Sequence, residues 1–112
     1  MKPMPKEKPK LESQIQKEII SFLRTREWFV KVTNGNMYQT GFPDLYCCHR
    51  DYKERWIEVK RPGNYKIQPS QMRDFPMLCA NGSGVWILVA ATELEYKKLF
   101  KPCNWWHYIL TK

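Results

Sequence analysis

Gly41-Phe42-Pro43-Asp44-Leu45-Tyr46-Cys47-Cys48, then a polar turn, then Trp56-Ile57-Glu58-Val59-Lys60 is the stretch that decides how this chain folds. Both halves are rich in aromatic and β-branched residues, the composition of strands. Two strands, Pro43 to His49 and Arg55 to Lys60, are expected around a turn near Arg50 to Glu54. Each carries a carboxylate, Asp44 at the start of the first and Glu58 near the end of the second. Side chains two apart in a strand share a face, so Glu58 and Lys60 point one way and Ile57 and Val59 the other. A hairpin brings Asp44 beside Glu58 with Lys60 close by. Two carboxylates and an ammonium on one patch can form a divalent-metal site with a cationic neighbour.

Upstream, Leu11 to Arg26 reads as a helix, with Leu11, Ile15, Ile19, Phe22 and Leu23 at helical spacing. At ~100° per residue Glu12 falls between Ile19 and Leu23, inside the apolar stripe. An acid there is costly without a partner, which makes Glu12 a candidate third carboxylate facing the hairpin. Its other reading is an acid favoured in the first turn by the helix dipole. Trp28 to Val32 reads as a strand, Asn34-Gly35-Asn36 as a turn and Met37 to Gly41 as a loop.

Downstream, Arg61 to Ile67 is a loop, with Arg61 and Lys66 just past the carboxylates. Pro69-Ser70 opens a helix to about Ala80, with Gln71 in its first turn. Pro76 is expected to kink or interrupt it, and Asn81-Gly82 to close it. Gly84 to Ala90 is nearly all apolar, the pattern of a strand buried on both faces. Thr92 is expected to cap a short helix to about Phe100, with Glu95 as the capping-box acid. Trp105 to Leu110 reads as a last strand at the sheet edge. The sum is an α/β protein, a mixed sheet flanked by helices, in the order helix, three strands, helix, strand, then a short helix and an edge strand.

With 112 residues, the chain is expected to be one domain over residues 11–112, preceded by a basic, disordered tail at 1–10. Its 19 basic residues against 11 acidic ones, net charge +8, point to a polyanionic partner. No apolar run reaches the ~20 residues of a membrane span, and no apolar segment follows the basic start as a signal peptide would require. The expected place is the cytoplasm, with its four cysteines reduced.

Phosphodiester hydrolysis needs charge stabilisation at the phosphoryl oxygens and an activated water. Mg²⁺ supplies both when one or two carboxylates hold it and its other positions stay open. Asp44 and Glu58 fit as ligands, and the Val59 carbonyl can add an oxygen. Lys60 can orient the attacking water, lower its pKa or stabilise developing charge, and Glu12 can bind a second ion or tune the first. Hard oxygen ligands favour Mg²⁺ or Mn²⁺ over zinc. No organic cofactor is called for.

Gly41-Phe42-Pro43-Asp44-Leu45, Ile57-Glu58-Val59-Lys60-Arg61-Pro62-Gly63, Pro69-Ser70-Gln71 and the upstream Glu12-Ser13-Gln14-Ile15-Gln16 resemble a VRR-NUC domain, the virus-type replication-repair nuclease branch of the PD-(D/E)XK superfamily. The resemblance runs from about Leu11 to Ala90. It implies a restriction-endonuclease-like core and a metal-dependent DNA endonuclease. Its stand-alone phage and bacterial forms act as homodimers on branched DNA such as junctions. It further implies Asp44 and Glu58 as metal ligands, Lys60 as the catalytic lysine, Glu12 as the first-helix acid and Gln71 as the glutamine after the lysine strand. Thr40 departs from the family, which often has a basic residue there, and Pro76 sits where its helix usually runs on.

Other residues admit other readings. Cys47 and Cys48 point to opposite faces of a strand, and no Cys-x-x-Cys pair exists, so zinc is not expected on these with His49, Cys79, Cys103 and His107. Trp105 and Trp106 can stack on unpaired bases, or pack in the core or a dimer interface. Among Lys53, Arg55, Arg61, Lys66, Arg73, Lys97 and Lys98, the phosphate contacts are placed on Arg61, Lys66 and Arg73. The alternatives to a nuclease are a DNA-end or junction binder of the same fold that does not cut, and a small basic structural protein.

Overall fold

The structure, a computed structural model, describes residues 10–33, 41–63 and 66–110. Outside them lie the tail apart from Lys10, the turn at Asn34-Gly35-Asn36, the loop before Gly41 with Thr40, and Asn64-Tyr65 of the loop after Lys60. In chain order the elements are α1 (Glu12–Arg24), β1 (Phe29–Val32), β2 (Leu45–His49), β3 (Lys53–Val59), α2 (Pro69–Ala80), β4 (Val85–Leu88), α3 (Glu93–Tyr96), a 3-10 turn (Lys97–Phe100) and α4 (Trp105–Leu110). Four strands make one sheet in the order β1-β2-β3-β4. The first three run antiparallel, and β4 lies parallel to β3 with α2 as the crossover.

Alternation along the strands sorts the sheet into two faces. Val30, Leu45, Cys47, Ile57, Val59, Trp86 and Leu88 face α1, where Ile15, Ile19 and Leu23 complete a core that also takes in Trp28 and Leu99. α2 covers the opposite face, where its buried Phe75 and Gln71 lie. Both faces of the end of β3 are therefore covered, and Ile57, Glu58 and Val59 are all buried.

α1 begins as the spacing predicts, with Leu11 as N-cap and the Gln14 side chain accepting the Leu11 N–H at 2.9 Å. Its first turn overhangs the core, however. Leu11 is 56% exposed, and Glu12 is exposed too. The helical phase of Glu12 is apolar, yet it stays in solvent, which spares it the cost of an unpaired buried charge, so the inward placement expected for it is not found. Lys10 pairs with Glu18 at 2.8 Å, which draws it onto the helix and out of the expected tail.

Two further expectations are corrected. α2 runs unbroken through Pro76. The carbonyl that Pro76 cannot serve belongs to Met72, an exposed residue, where water can take its place. Trp105 to Leu110 is a helix rather than an edge strand. The outer edge of β4 is already answered by side chains. Asn104 Oδ1 accepts the Ile87 N–H at 2.7 Å, its Nδ2 donates to the Ile87 carbonyl at 3.2 Å, and Glu95 Oε1 accepts the Val89 N–H at 2.9 Å. A fifth strand cannot pair there without displacing Asn104 and Glu95. Glu95 is spent on this edge and on Lys98 at 2.7 Å. Thr92 caps α3 alone, its Oγ1 accepting the Glu95 N–H at 3.3 Å.

Candidate active site

The hairpin sets the geometry. Leu45 lies opposite Ile57, so one further step of the register places Asp44 opposite Glu58 on the face that α2 covers. Thr33, just past β1, holds this step in place. Its N–H donates to the Asp44 carbonyl at 2.8 Å, and its hydroxyl donates to the Pro43 carbonyl. The two acids then interlock. The Asp44 N–H donates to Glu58 Oε1 at 3.2 Å, and the Val59 N–H donates to Asp44 Oδ2 at 2.9 Å.

Lys60 and Gln71 close the other side. Lys60 Nζ lies 3.1 Å from Glu58 Oε2, and Gln71 Nε2 donates to the same oxygen at 2.7 Å. Gln71 Oε1 accepts from Lys60 Nζ at 3.1 Å and from the Gln68 N–H at 3.0 Å. One amide thus caps α2, holds the lysine and holds the acid. Lys60 makes a further bond to the Lys66 carbonyl at 2.7 Å. Glu58, Lys60 and Gln71 are all buried, while Asp44 is partly exposed and gives the cluster its opening to solvent.

Burial is the main force on both carboxyls. It pushes Glu58 up to about 8, aided by the charge of Asp44 and opposed by Lys60 and Gln71. Asp44 is raised as well, again by burial first, with the Val59 N–H and Lys60 pulling the other way. A further cation bound between them would favour the ionised form of both.

Two interlocked hard-oxygen acids fit Mg²⁺ or Mn²⁺, which take one or two carboxylates and keep several waters. The Val59 carbonyl suits a third oxygen. Its N–H already points to the β2 side, and a strand residue sends both groups the same way. Pro43, opposite it in register, has no N–H to offer. Among the described residues no third His, Cys, Asp or Glu joins the pair to make a metal cluster.

The structure therefore brings together Asp44, Glu58, Lys60 and Gln71. Glu12 stands apart at the exposed start of α1, a helix packed on the other face of the sheet. Arg61, half-buried, has a buried Nε without a hydrogen-bond partner, next in chain to Lys60. Lys66 is exposed and serves the site through its main chain. Arg73 is exposed and paired with Asp74 at 2.8 Å.

Three contributions were not read from the sequence, although Lys66 and Gly41 were named there in other connections. Lys66 acts through a carbonyl, which any residue has. Thr33 anchors Asp44 from β1. Gly41 takes φ +93°, and a Cβ there would sit 2.2 Å from Asp74 Oδ2 and 2.9 Å from the Ser70 carbonyl. Its place just before the Pro-Asp pair was the available hint.

No protein-family model matches the chain, and no curated protein matches it. Among solved structures, a VRR_NUC domain is similar over 87% of this chain and 96% of its own length, with a TM-score of 0.63 and 23% identity. The chain thus has the fold of a VRR_NUC domain, a nuclease-type fold with a mixed sheet between helices, as the resemblance in sequence implied. No described helix is long and apolar enough to cross a membrane.

Proposed function

We propose that the protein is a Mg²⁺- or Mn²⁺-dependent DNA endonuclease that hydrolyses phosphodiester bonds in branched, junction or flap DNA. The observation that carries this reading is the interlocked Asp44–Glu58 pair with Lys60 3.1 Å from Glu58, set in a nuclease-type fold. Asp44, Glu58 and the Val59 carbonyl would hold the ion, which polarises the phosphate and activates water. Lys60, freed from part of its bond to Glu58, orients the attacking water and meets charge developing on the phosphate. Gln71 fixes both side chains against α2. Arg61, Lys66 and Arg73 are the proposed phosphate contacts.

Phe42 supports a substrate with unpaired bases. Its ring is 43% exposed two residues before Asp44, leans on Trp56 at 5.7 Å, and lines a cavity of about 330 Å³ with Met77 and Leu78. An exposed ring beside the scissile position can stack on a base displaced from the duplex. One chain carries one such site, so cutting two strands together calls for a homodimer.

A cleavage panel of duplex, single strand, flap and four-way junction, with and without Mn²⁺, tests the proposal. Wild-type protein should cut with Mn²⁺, while Asp44→Asn and Glu58→Gln should bind DNA without cutting it. Cutting by either variant at the wild-type rate removes the site from consideration. One feature favours a module that binds without cutting: Glu58 Oε2 is already met by Lys60 Nζ at 3.1 Å and by Gln71 Nε2 at 2.7 Å, and both would compete with an ion for it. DNA binding with no cleavage of any substrate in Mn²⁺ would establish that reading instead.

A further inference from the structure

Cys79, on the last turns of α2, and Cys103, just ahead of α4, place their Sγ atoms 3.5 Å apart across 24 residues of chain. Both are free thiols and both are only partly buried. The sulfurs meet within van der Waals contact, and a disulfide needs them to close to ~2.05 Å. That is an approach of about 1.5 Å. Cys47 offers a contrast. It is fully buried, and burial pushes its thiol up to about 12, so it is inert. The proposed nuclease chemistry uses none of the four.

The Cys79 sulfur also meets the Val85 backbone and the Trp105 side chain. Cys103 precedes Asn104, whose side chain clamps the edge of β4, and Cys79 ends the helix that begins beside Gln71. We propose that Cys79 and Cys103 form a dithiol site for two-electron oxidation by a hydroperoxide, closing a disulfide that staples α2 to the start of α4. One thiolate attacks the hydroperoxide, the O–O bond breaks, an alcohol (water, for hydrogen peroxide) leaves and a sulfenic acid forms. The second thiol displaces its hydroxyl as water, leaving the S–S bond. Two thiols are oxidised and one peroxide is reduced. Burial is the largest force on the Cys79 thiol and raises it, which slows its own attack at neutral pH.

The experiment needs neither metal nor DNA, so its outcome is separate from the nuclease reading. The purified reduced protein is treated with hydrogen peroxide, alkylated, and weighed without reductant. The expected product is a monomer whose unlabelled mass is lower by about 2 Da and which, alkylated in denaturant, takes up label at Cys47 and Cys48 alone. Trypsin should release one crosslinked species joining residues 74–97 to residues 99–112. The oxidised form should melt roughly 10 °C higher than the reduced form, since the bond closes a loop of about 25 residues. Reductant should reverse the shift, and Cys79→Ser and Cys103→Ser should each abolish it. Oxidation that falls on Cys48, dimers joined between chains, all four thiols surviving, or an oxidised form melting no higher than the reduced one would each overturn the proposal.

Discussion

Glu58 makes the sharpest prediction because its chemistry opposes its burial. Its carboxyl is pushed from an ordinary 4.5 up to about 8 by burial and by Asp44. The folded protein therefore holds a proton that the unfolded chain has released everywhere between those values. Stability must fall as pH rises across that window, by about 1.4 kcal/mol per pH unit, and then level off above 8. The whole penalty is on the order of 5 kcal/mol, a large share of the ~5–15 kcal/mol that holds a domain folded. Asp44, also raised, adds in the same sense. Urea unfolding in EDTA from pH 5 to 9 reads this directly. Between pH 5.5 and 8 the wild-type midpoint should drop by roughly 1–3 M relative to Glu58→Gln. Saturating Mn²⁺ should flatten or reverse the wild-type slope, because the ion binds the ionised pair and expels the proton. Parallel midpoints for wild type and Glu58→Gln across the range would show that Glu58 does not hold its proton, and the reasoning about the site would fail with it.

Other perturbations separate the parts of the site. Lys60→Met should cost ~1–3 kcal/mol, since it strips Gln71 and the Lys66 carbonyl of a buried partner. It should keep Mn²⁺ binding by calorimetry and lower cleavage at least ~100-fold; unchanged cleavage would remove the lysine from the chemistry. Gly41→Ala should destabilise by ~2 kcal/mol or more, because φ is +93° and the new methyl meets Asp74 Oδ2 and the Ser70 carbonyl. A melting temperature equal to wild type would contradict it. Phe42→Ala should slow cutting of flaps and junctions several-fold more than cutting of intact duplex, and equal loss on every substrate would deny the ring a role with unpaired bases.

The sequence carried the core of the site because period and punctuation were both strong there. Pro-Asp at a strand start and Glu-x-Lys at a strand end sit on one face by pleat alone, and Pro69-Ser70 opens α2 where a helix start should be. What stayed hidden depends on height and on long-range pairing. Glu12 has the right angular phase, but phase says nothing of how far along a helix its packing reaches, and the first turn of α1 is exposed. Trp105 to Leu110 has strand composition, yet its conformation was decided by Asn104 and Glu95 taking the β4 edge first. Pro76 is tolerated because the carbonyl it abandons lies on the wet side of α2.

That closed edge also limits how sheets of this chain can join. With Ile87 and Val89 bonded by side chains, among the described residues β1 is the more open edge, although Arg24 Nη2 donates to its outward Val30 carbonyl at 3.1 Å. Phe29 and Val32 are exposed along it. A sheet open at both ends can add copies without limit and grow into fibrils. A sheet open at one end can only meet its own kind edge to edge, about a two-fold axis, and growth stops at two copies. Asn104 and Glu95, far from the acids in sequence, thereby act as a brake on aggregation.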